Sequence, residues 1–494
     1  MNPVILYSVH TLLAIVLAAG TLAPRRWRRP ILLVTAIVGC AGGIALALAS
    51  GEETTWRSTT LGQPQGPITG AAVACAWLLA GGLGSERTLG SAALVGLAST
   101  GVLLATLGDW IVPALAMWLT STVALVVLVS LGGLRVGALL ALGVSDLALV
   151  GAFALHALDE RSWTVPLSLD GLPLALALAS FVVRSGALPR LGVWETLDSR
   201  AAPALPLLLG GPLALLGVPL SGSGPWVSIA ALLAALGLGG VSLWGGELRL
   251  SVIGSWPVWL SVGLIAAAPT VLIPAALAAL LALSVVALWP ATHGSARSSR
   301  GLLLGFLPLT AGWMAVVGTA VVVFDRGSSP GARPVAWGLI AGLLPPTVAA
   351  GVALAARVAR QTEPDPSEPT AAWAARALVV AGLCLGLLPS SALGLARGTM
   401  GDLDRVLALN GAAVGLAFVA GAIAYRRGSR GAGSVGAQVV ASVGTLVYSE
   451  DRADTAVMVG VFALIAVGSL AAVIYLAFEG LSYGFLPPSG SGSV

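Results

Sequence analysis

The chain has no lysine. All 25 of its basic residues are arginine, and charged residues of both signs make up only 9% of its 494 positions. A soluble domain carries about 25% charged residues, so a water-facing globular surface is excluded. No basic stretch is interleaved with aromatics, which argues against a nucleic-acid partner and leaves the net charge of +4 to membrane topology. Histidine and cysteine are as sparse, with three of each. Cys40, Cys75 and Cys384 show no metal-ligand spacing and no CxxC pair, and read as small core hydrophobes. His10 and His293 fall near span ends and His156 near the outer end of the sixth span, as structural or interfacial residues. No nucleotide-binding loop, zinc motif or nucleophile elbow occurs. The sequence therefore predicts no catalytic residue, no metal and no cofactor.

What is present is apolar. Hydrophobic residues make up 57% of the chain, and the mean hydropathy is +0.96. Repeated apolar runs of about 18 or more residues read as transmembrane helices. About sixteen are predicted: 4–22, 30–49, 67–84, 90–107, 110–130, 136–157, 171–189, 203–220, 225–244, 251–268, 270–290, 302–324, 334–358, 371–394, 404–425 and 455–478. The runs do not alternate, which excludes a transmembrane barrel. The fold class is an all-α polytopic membrane protein with about 14–16 spans. The 64 glycines suit close helix packing in lipid. Segment 433–449 is short and glycine-rich, and reads as re-entrant or surface-lying. The longest polar stretches are 50–66, 158–169 and 359–370, and the tail PPSGSGSV reads as disordered. The N-terminal run is followed by its arginines, not preceded by them, so it reads as a first span and not as a cleaved signal. With the N-terminus outside, 18 of the 25 arginines fall in cytoplasmic loops and flanks and 6 on the outer side, leaving Arg184 within a span. That bias predicts a multi-pass cell-membrane protein with its N-terminus outside.

Charge within a bilayer is costly and usually has a partner or a watery cavity. The intramembrane ionisable residues are therefore the candidate site: Asp109 at the start of span five, Asp146 in the middle of span six, Arg184 in span seven, and Glu247 with Arg249 between spans nine and ten. Asp109 precedes a tryptophan and reads as interfacial. Asp146 reads either as a locally satisfied carboxylate or as part of an ion path. Arg184 reads either as a snorkelling side chain or as the partner of Asp146, since an Asp146–Arg184 pair across neighbouring helices would serve both.

Five stretches over about residues 110–320 resemble, in order and in span number, the boxes of the antiporter-like membrane subunits of respiratory complex I and Mrp-type cation/proton antiporters. They are MWLTSTVALVVLVSL, VSDLALVGAFAL, VVRSGALP with the following AAPALPLLLGG, GELRLSVIGSW, and LLLGFLPLTAGWMAVVGTA. The resemblance implies two inverted five-helix repeats, spans four to eight and nine to thirteen, each with a broken helix. Pro203 and Pro206, with Pro212, would break the eighth helix, and Pro308 would kink the twelfth. It implies three regions: N-terminal helices over 1–109, an antiporter-like core over 110–358, and C-terminal helices with a tail over 359–494. It implies proton/ion pathway candidates Asp146, Arg184, Glu247 and Arg249, protons or monovalent cations as cargo, and other membrane subunits as partners. As an enzyme the chain would be at most a subunit of a proton-translocating NADH:quinone oxidoreductase-like complex.

The departures from the family pattern fall on the groups that handle protons. The fifth-helix glutamate is Trp118, the seventh-helix lysine is Arg184, the broken-helix histidine falls near Gly211, and the twelfth-helix lysine is Val316. A relay needs groups that burial and neighbours can tune toward neutral pH. Lysine can be tuned so, and arginine effectively cannot. Four functions stay open at this point: a proton- or cation-conducting subunit, a non-conducting membrane scaffold that docks a partner, the membrane subunit of a two-component inorganic-carbon uptake system, and an unrelated secondary transporter. A conducting subunit predicts a hydrated centre. A scaffold predicts a dry centre with Arg184 in a static salt bridge.

Overall fold

The computed structural model describes residues 3–49, 54–56, 59–61, 65–85, 87–106, 110–130, 136–184 and 201–222, with isolated positions between 276 and 288 and between 371 and 381. Eight helices occupy this part: α1 Pro3–Gly20, α2 Arg25–Ala49, α3 Gln65–Leu83, α4 Leu89–Thr106, α5 Ile111–Ser130, α6 Val136–Glu160, α7 Gly171–Arg184 and α8 Ala204–Gly222. They coincide with the first eight predicted spans to within a few residues. The chain is an all-α, multi-pass membrane protein: α2 to α6 each carry an apolar stretch of 18 to 24 residues, enough to cross a bilayer. Apart from those isolated positions, the later spans, segment 433–449 and the second five-helix repeat lie outside the described residues.

The polar stretch 50–66 contains structure that the sequence reading missed. Strands β1 Thr54–Trp56 and β2 Thr59–Leu61 pair antiparallel, with Thr55 opposite Thr60. Their threonines are β-branched and suit extended strand structure.

Helices α4 to α8 form a ring. Each packs on the next, α8 returns to α4, and α5 also reaches α8 across the ring. This is the first five-helix bundle. Helices α1 to α3 stand beside it: α1 packs on α4, and α3 on both α4 and α8. The start of α5 is tied to the α6–α7 connection by Ile111 N–H donating to the Trp163 carbonyl at 2.8 Å. That bond fixes α5 antiparallel to α6 and parallel to α7.

Close approach of α2 and α3 rests on small residues, as expected where lipid supplies no hydrophobic drive between helices. A Cβ placed on Gly43 would lie 2.6 Å from the Ala74 nitrogen and 2.7 Å from the Gly70 oxygen. One placed on Gly70 would lie 2.6 Å from the Gly43 oxygen. Neither backbone leaves room for a side chain. One turn away, the face of Gly39 receives the Trp77 ring.

Pro203 lies in the turn that precedes α8, and Pro206 in its first turn, both buried. At these positions the missing N–H has no intrahelical acceptor to lose, so both residues suit the start of the helix. Pro212 and Pro219 lie inside a helix that continues to Gly222. Pro308 lies outside the described residues. The reading of His10 is corrected. It sits in the middle of α1, fully buried, where Nδ1 accepts from Trp77 Nε1 at 3.1 Å.

Gly43→Leu is expected to destabilise the fold by about 1–3 kcal/mol through overpacking. Thermal unfolding in mild detergent checks this, with Ile37→Leu on the exposed face of the same helix as the neutral control.

Candidate functional site

Asp146 is the eleventh residue of α6, roughly 15 Å along a helix that rises 1.5 Å per residue. Arg184 ends the described length of α7. The structure brings the two together. Arg184 Nη1 donates to Asp146 Oδ1 in a salt bridge, and both residues are buried, at 3% and 4% exposure. Arg184 therefore does not snorkel. Its charge is met inside the bundle by a carboxylate of opposite sign, which is what a low-dielectric interior requires.

Two residues of α5 complete the cluster. Trp118 Nε1 donates to the same Asp146 Oδ1 at 2.8 Å. Arg184 Nη2 donates to Thr122 Oγ1 at 3.0 Å. Trp118 and Thr122 are four residues apart, so they share one face of α5. The Arg184 guanidinium carbon lies 4.1 Å from the Trp118 ring centroid, a cation–π contact in a desolvated setting. Trp118, Asp146 and Arg184 thus each touch the other two. Only Nε of the guanidinium lacks a hydrogen-bond partner among the described residues.

The helices are held in register beside the cluster. Ser145, next to Asp146, donates to the Ser180 carbonyl at 3.2 Å, and the two hydroxyls are also 3.2 Å apart. Ser180 is one turn before Arg184, so this contact fixes α6 against α7 where the ion pair forms.

The far edge of the Trp118 ring faces α8. A Cβ on Gly211 would lie 3.0 Å from Trp118 Cζ3 and 3.2 Å from Cη2. The residue near which the resemblance places a histidine is therefore the one whose lack of a side chain makes room for the indole. Two departures that the sequence shows separately, Trp118 and Gly211, are one packing arrangement. Trp118, Thr122 and Gly211 were missed as site residues. The available signal was the i, i+4 spacing of Trp118 and Thr122 together with a glycine on the crossing helix.

Glu247 and Arg249 lie outside the described residues, as does Asp109. Among the described residues no group of three or more histidine, cysteine or acidic side chains could hold a metal ion.

No protein-family model and no curated protein matches this chain. Solved structures do. It is similar to a chain of the Mrp complex from Dietzia sp., with a TM-score of 0.63 and 17% identity over 95% of this chain. It spans 63% of the length of that Mrp chain. It is similar to a chain of respiratory complex I from Thermus thermophilus, with a TM-score of 0.59 and 18% identity, covering 79% of this chain and 99% of that one. A third likeness is to a chain of an archaeal membrane-bound sulfane sulfur reductase, with a TM-score of 0.59 and 16% identity, covering 79% and 77%.

Removing one partner of a buried pair leaves an uncompensated charge, at a cost of about 3–5 kcal/mol. Arg184→Leu is therefore expected to unfold more readily than the parent by that amount. Asp146→Leu/Arg184→Leu is expected to recover most of the loss. Denaturant unfolding of the three proteins in one detergent measures both values. The likeness to these solved structures is one of fold: this chain has the fold of the antiporter-like membrane subunits.

Proposed function

We propose that this chain is a membrane subunit of a multi-subunit ion-translocating assembly of the Mrp or complex I kind, and that its first five-helix bundle is a sealed structural module. It would sit in the cell membrane with its N-terminus outside and pack against other membrane subunits. Protons or monovalent cations would be the cargo of the assembly. Any path contributed by this chain itself would run through the second repeat, where Glu247 and Arg249 are the candidates.

The observation that carries this reading is the closed contact of Trp118, Asp146 and Arg184. A relay group must take up a proton and give it away again. Arg184 holds its proton at any physiological pH. The Trp118 indole is a donor only and cannot accept a proton in turn. Asp146 is the one member that could exchange protons, and its Oδ1 is occupied by two donors. Uptake of a proton by Asp146 would also strip Arg184 of its counter-ion inside the bundle. The arrangement suits a fixed clamp between α5, α6 and α7, and so favours the scaffold reading for this half of the chain.

The test is proton flux in vesicles reconstituted with the chain and the membrane subunits that co-purify with it. Asp146→Asn/Arg184→Gln removes both charges and retains polar side chains at both positions. Flux by the assembly is expected to be unchanged in this variant. Loss of flux in a variant that still assembles would put Asp146 in the pathway and overturn the sealed-module reading.

A further inference from the structure

Four arginines open α2 in the run RRWRR, and its first turn holds no acidic residue. This placement opposes the helix dipole. The N-terminus of a helix carries about half a positive charge and favours acidic side chains. Topology alone asks only that arginines lie on one side of the membrane. It does not ask that they crowd the positive end of a helix.

The four are not equivalent. Arg28 is used internally. Its Nε donates to the Ala23 carbonyl at 2.9 Å and its Nη2 to the Thr21 carbonyl at 2.7 Å. With Trp27 N–H donating to the Pro24 carbonyl at 2.9 Å, these bonds fix the α1–α2 turn. Arg25, Arg26 and Arg29 are exposed. At 100° per residue they fall within one arc of about 100°. A fixed turn therefore presents three guanidinium groups on one face.

Nothing described on this side of the molecule neutralises them. The described acidic residues are Asp146, Asp159, Glu160 and Asp170. Asp146 is bound to Arg184. The other three lie where α6 ends and α7 begins, at the end of the bundle where α5 starts. The start of α2 lies at the other end, beside the start of α4, where Gly20 approaches Leu89. Arg87, also exposed, precedes α4 on that same side and follows Glu86 in the sequence.

Below the arginines the surface is apolar and open. Trp27 is exposed, and Val34 and Ile37 are 60% and 67% exposed. By helical phase Ile37 lies about 20° from Arg26, Val34 about 80° and Trp27 about 100°. Val34 and Ile37 lie roughly 12–17 Å along the axis from Arg26, the reach of an acyl chain within one leaflet. Clustered cations at the end of a span, an interfacial tryptophan and an apolar stripe beneath them match a molecule with an anionic head and a hydrocarbon tail.

We infer that Arg25, Arg26 and Arg29, with Trp27 and the Val34–Ile37 stripe of α2, form a binding site for an anionic phospholipid. The phosphate sits among the guanidinium groups, which bind phosphate through paired N–H donors. The acyl chain lies along α2. The lipid supplies the negative charge that the first turn of α2 lacks.

The experiment uses the full chain, delipidated in mild detergent, with phosphatidylglycerol and phosphatidylcholine as probes. Binding is read by native mass spectrometry. Saturable binding of phosphatidylglycerol, well above phosphatidylcholine, is expected for the parent. Arg25→Gln/Arg26→Gln/Arg29→Gln leaves Arg28 and the turn intact, and should weaken phosphatidylglycerol binding on the order of a hundredfold. The corresponding triple lysine variant should retain most of it. Equal binding by the parent and the glutamine variant would overturn the site. Displacement of the lipid by inorganic phosphate at equal concentration would also overturn it, by reducing the site to a free-anion pocket.

Discussion

The described part of this protein depends on one constraint: a guanidinium charge held inside the bilayer must have a counter-ion that cannot leave. Arg184 meets Asp146 across the α6–α7 interface, and Trp118 and Thr122 close over the pair from α5. Three helices of a five-helix ring are thereby tied at one depth. A buried pair of this kind is weak evidence for added stability, since apolar residues of similar volume could do as well. It is better evidence for a specified register. α6 cannot slide along α7 without leaving a charge unmet, and the Ser145–Ser180 contact repeats the instruction beside it. The apolar contacts around it carry no such instruction, because alanine and leucine faces fit in several registers.

Size complementarity supports that electrostatic arrangement. The indole of Trp118 spans from the carboxylate on α6 to the bare backbone of Gly211 on α8. Its ring lies under the guanidinium and excludes water from one side of it. A small residue on one helix and a large one on another thus convert what could be a polar channel into packed interior. The same logic recurs outside the ring, where Gly39 receives Trp77 and Gly43 meets Gly70. Close packing by glycine and filling by tryptophan are alternating solutions to one problem, which is holding helices together in a solvent that does not push them together.

Much of this was legible in the sequence. Eight spans follow from apolar runs because a bilayer demands length and hydropathy of every crossing helix. The pairing of Asp146 with Arg184 follows from the cost of leaving either alone in lipid. The partnership of Trp118 with Gly211 was not legible, because it depends on where α5 crosses α8, and hydropathy says nothing of crossing points. Read one at a time, both residues are only losses of a family's polar groups. The prolines of α8 show a related limit. The resemblance makes Pro206 and Pro212 helix breakers, but Pro206 stands in the first turn, where a proline forfeits no intrahelical bond, and the helix continues past Pro212 to Gly222. His10 was placed near a span end, yet it is buried in mid-helix because Trp77 offers it a donor. That contact lies between helices far apart in sequence.

The central claim is that the middle of the α4–α8 ring is dry. Thr122 on α5 is buried, and its hydroxyl accepts from Arg184. Thr122→Cys, made in a background with Cys40, Cys75 and Cys384 replaced by alanine, puts a thiol at the cluster at little cost in volume. The most direct measurement is the rate at which a water-soluble, membrane-impermeant thiol reagent labels that cysteine in sealed vesicles, from each side in turn. A sealed module leaves it unlabelled from both sides until the protein is unfolded. Labelling of the folded protein from either side would show that water reaches Asp146 and Arg184, and would contradict the account.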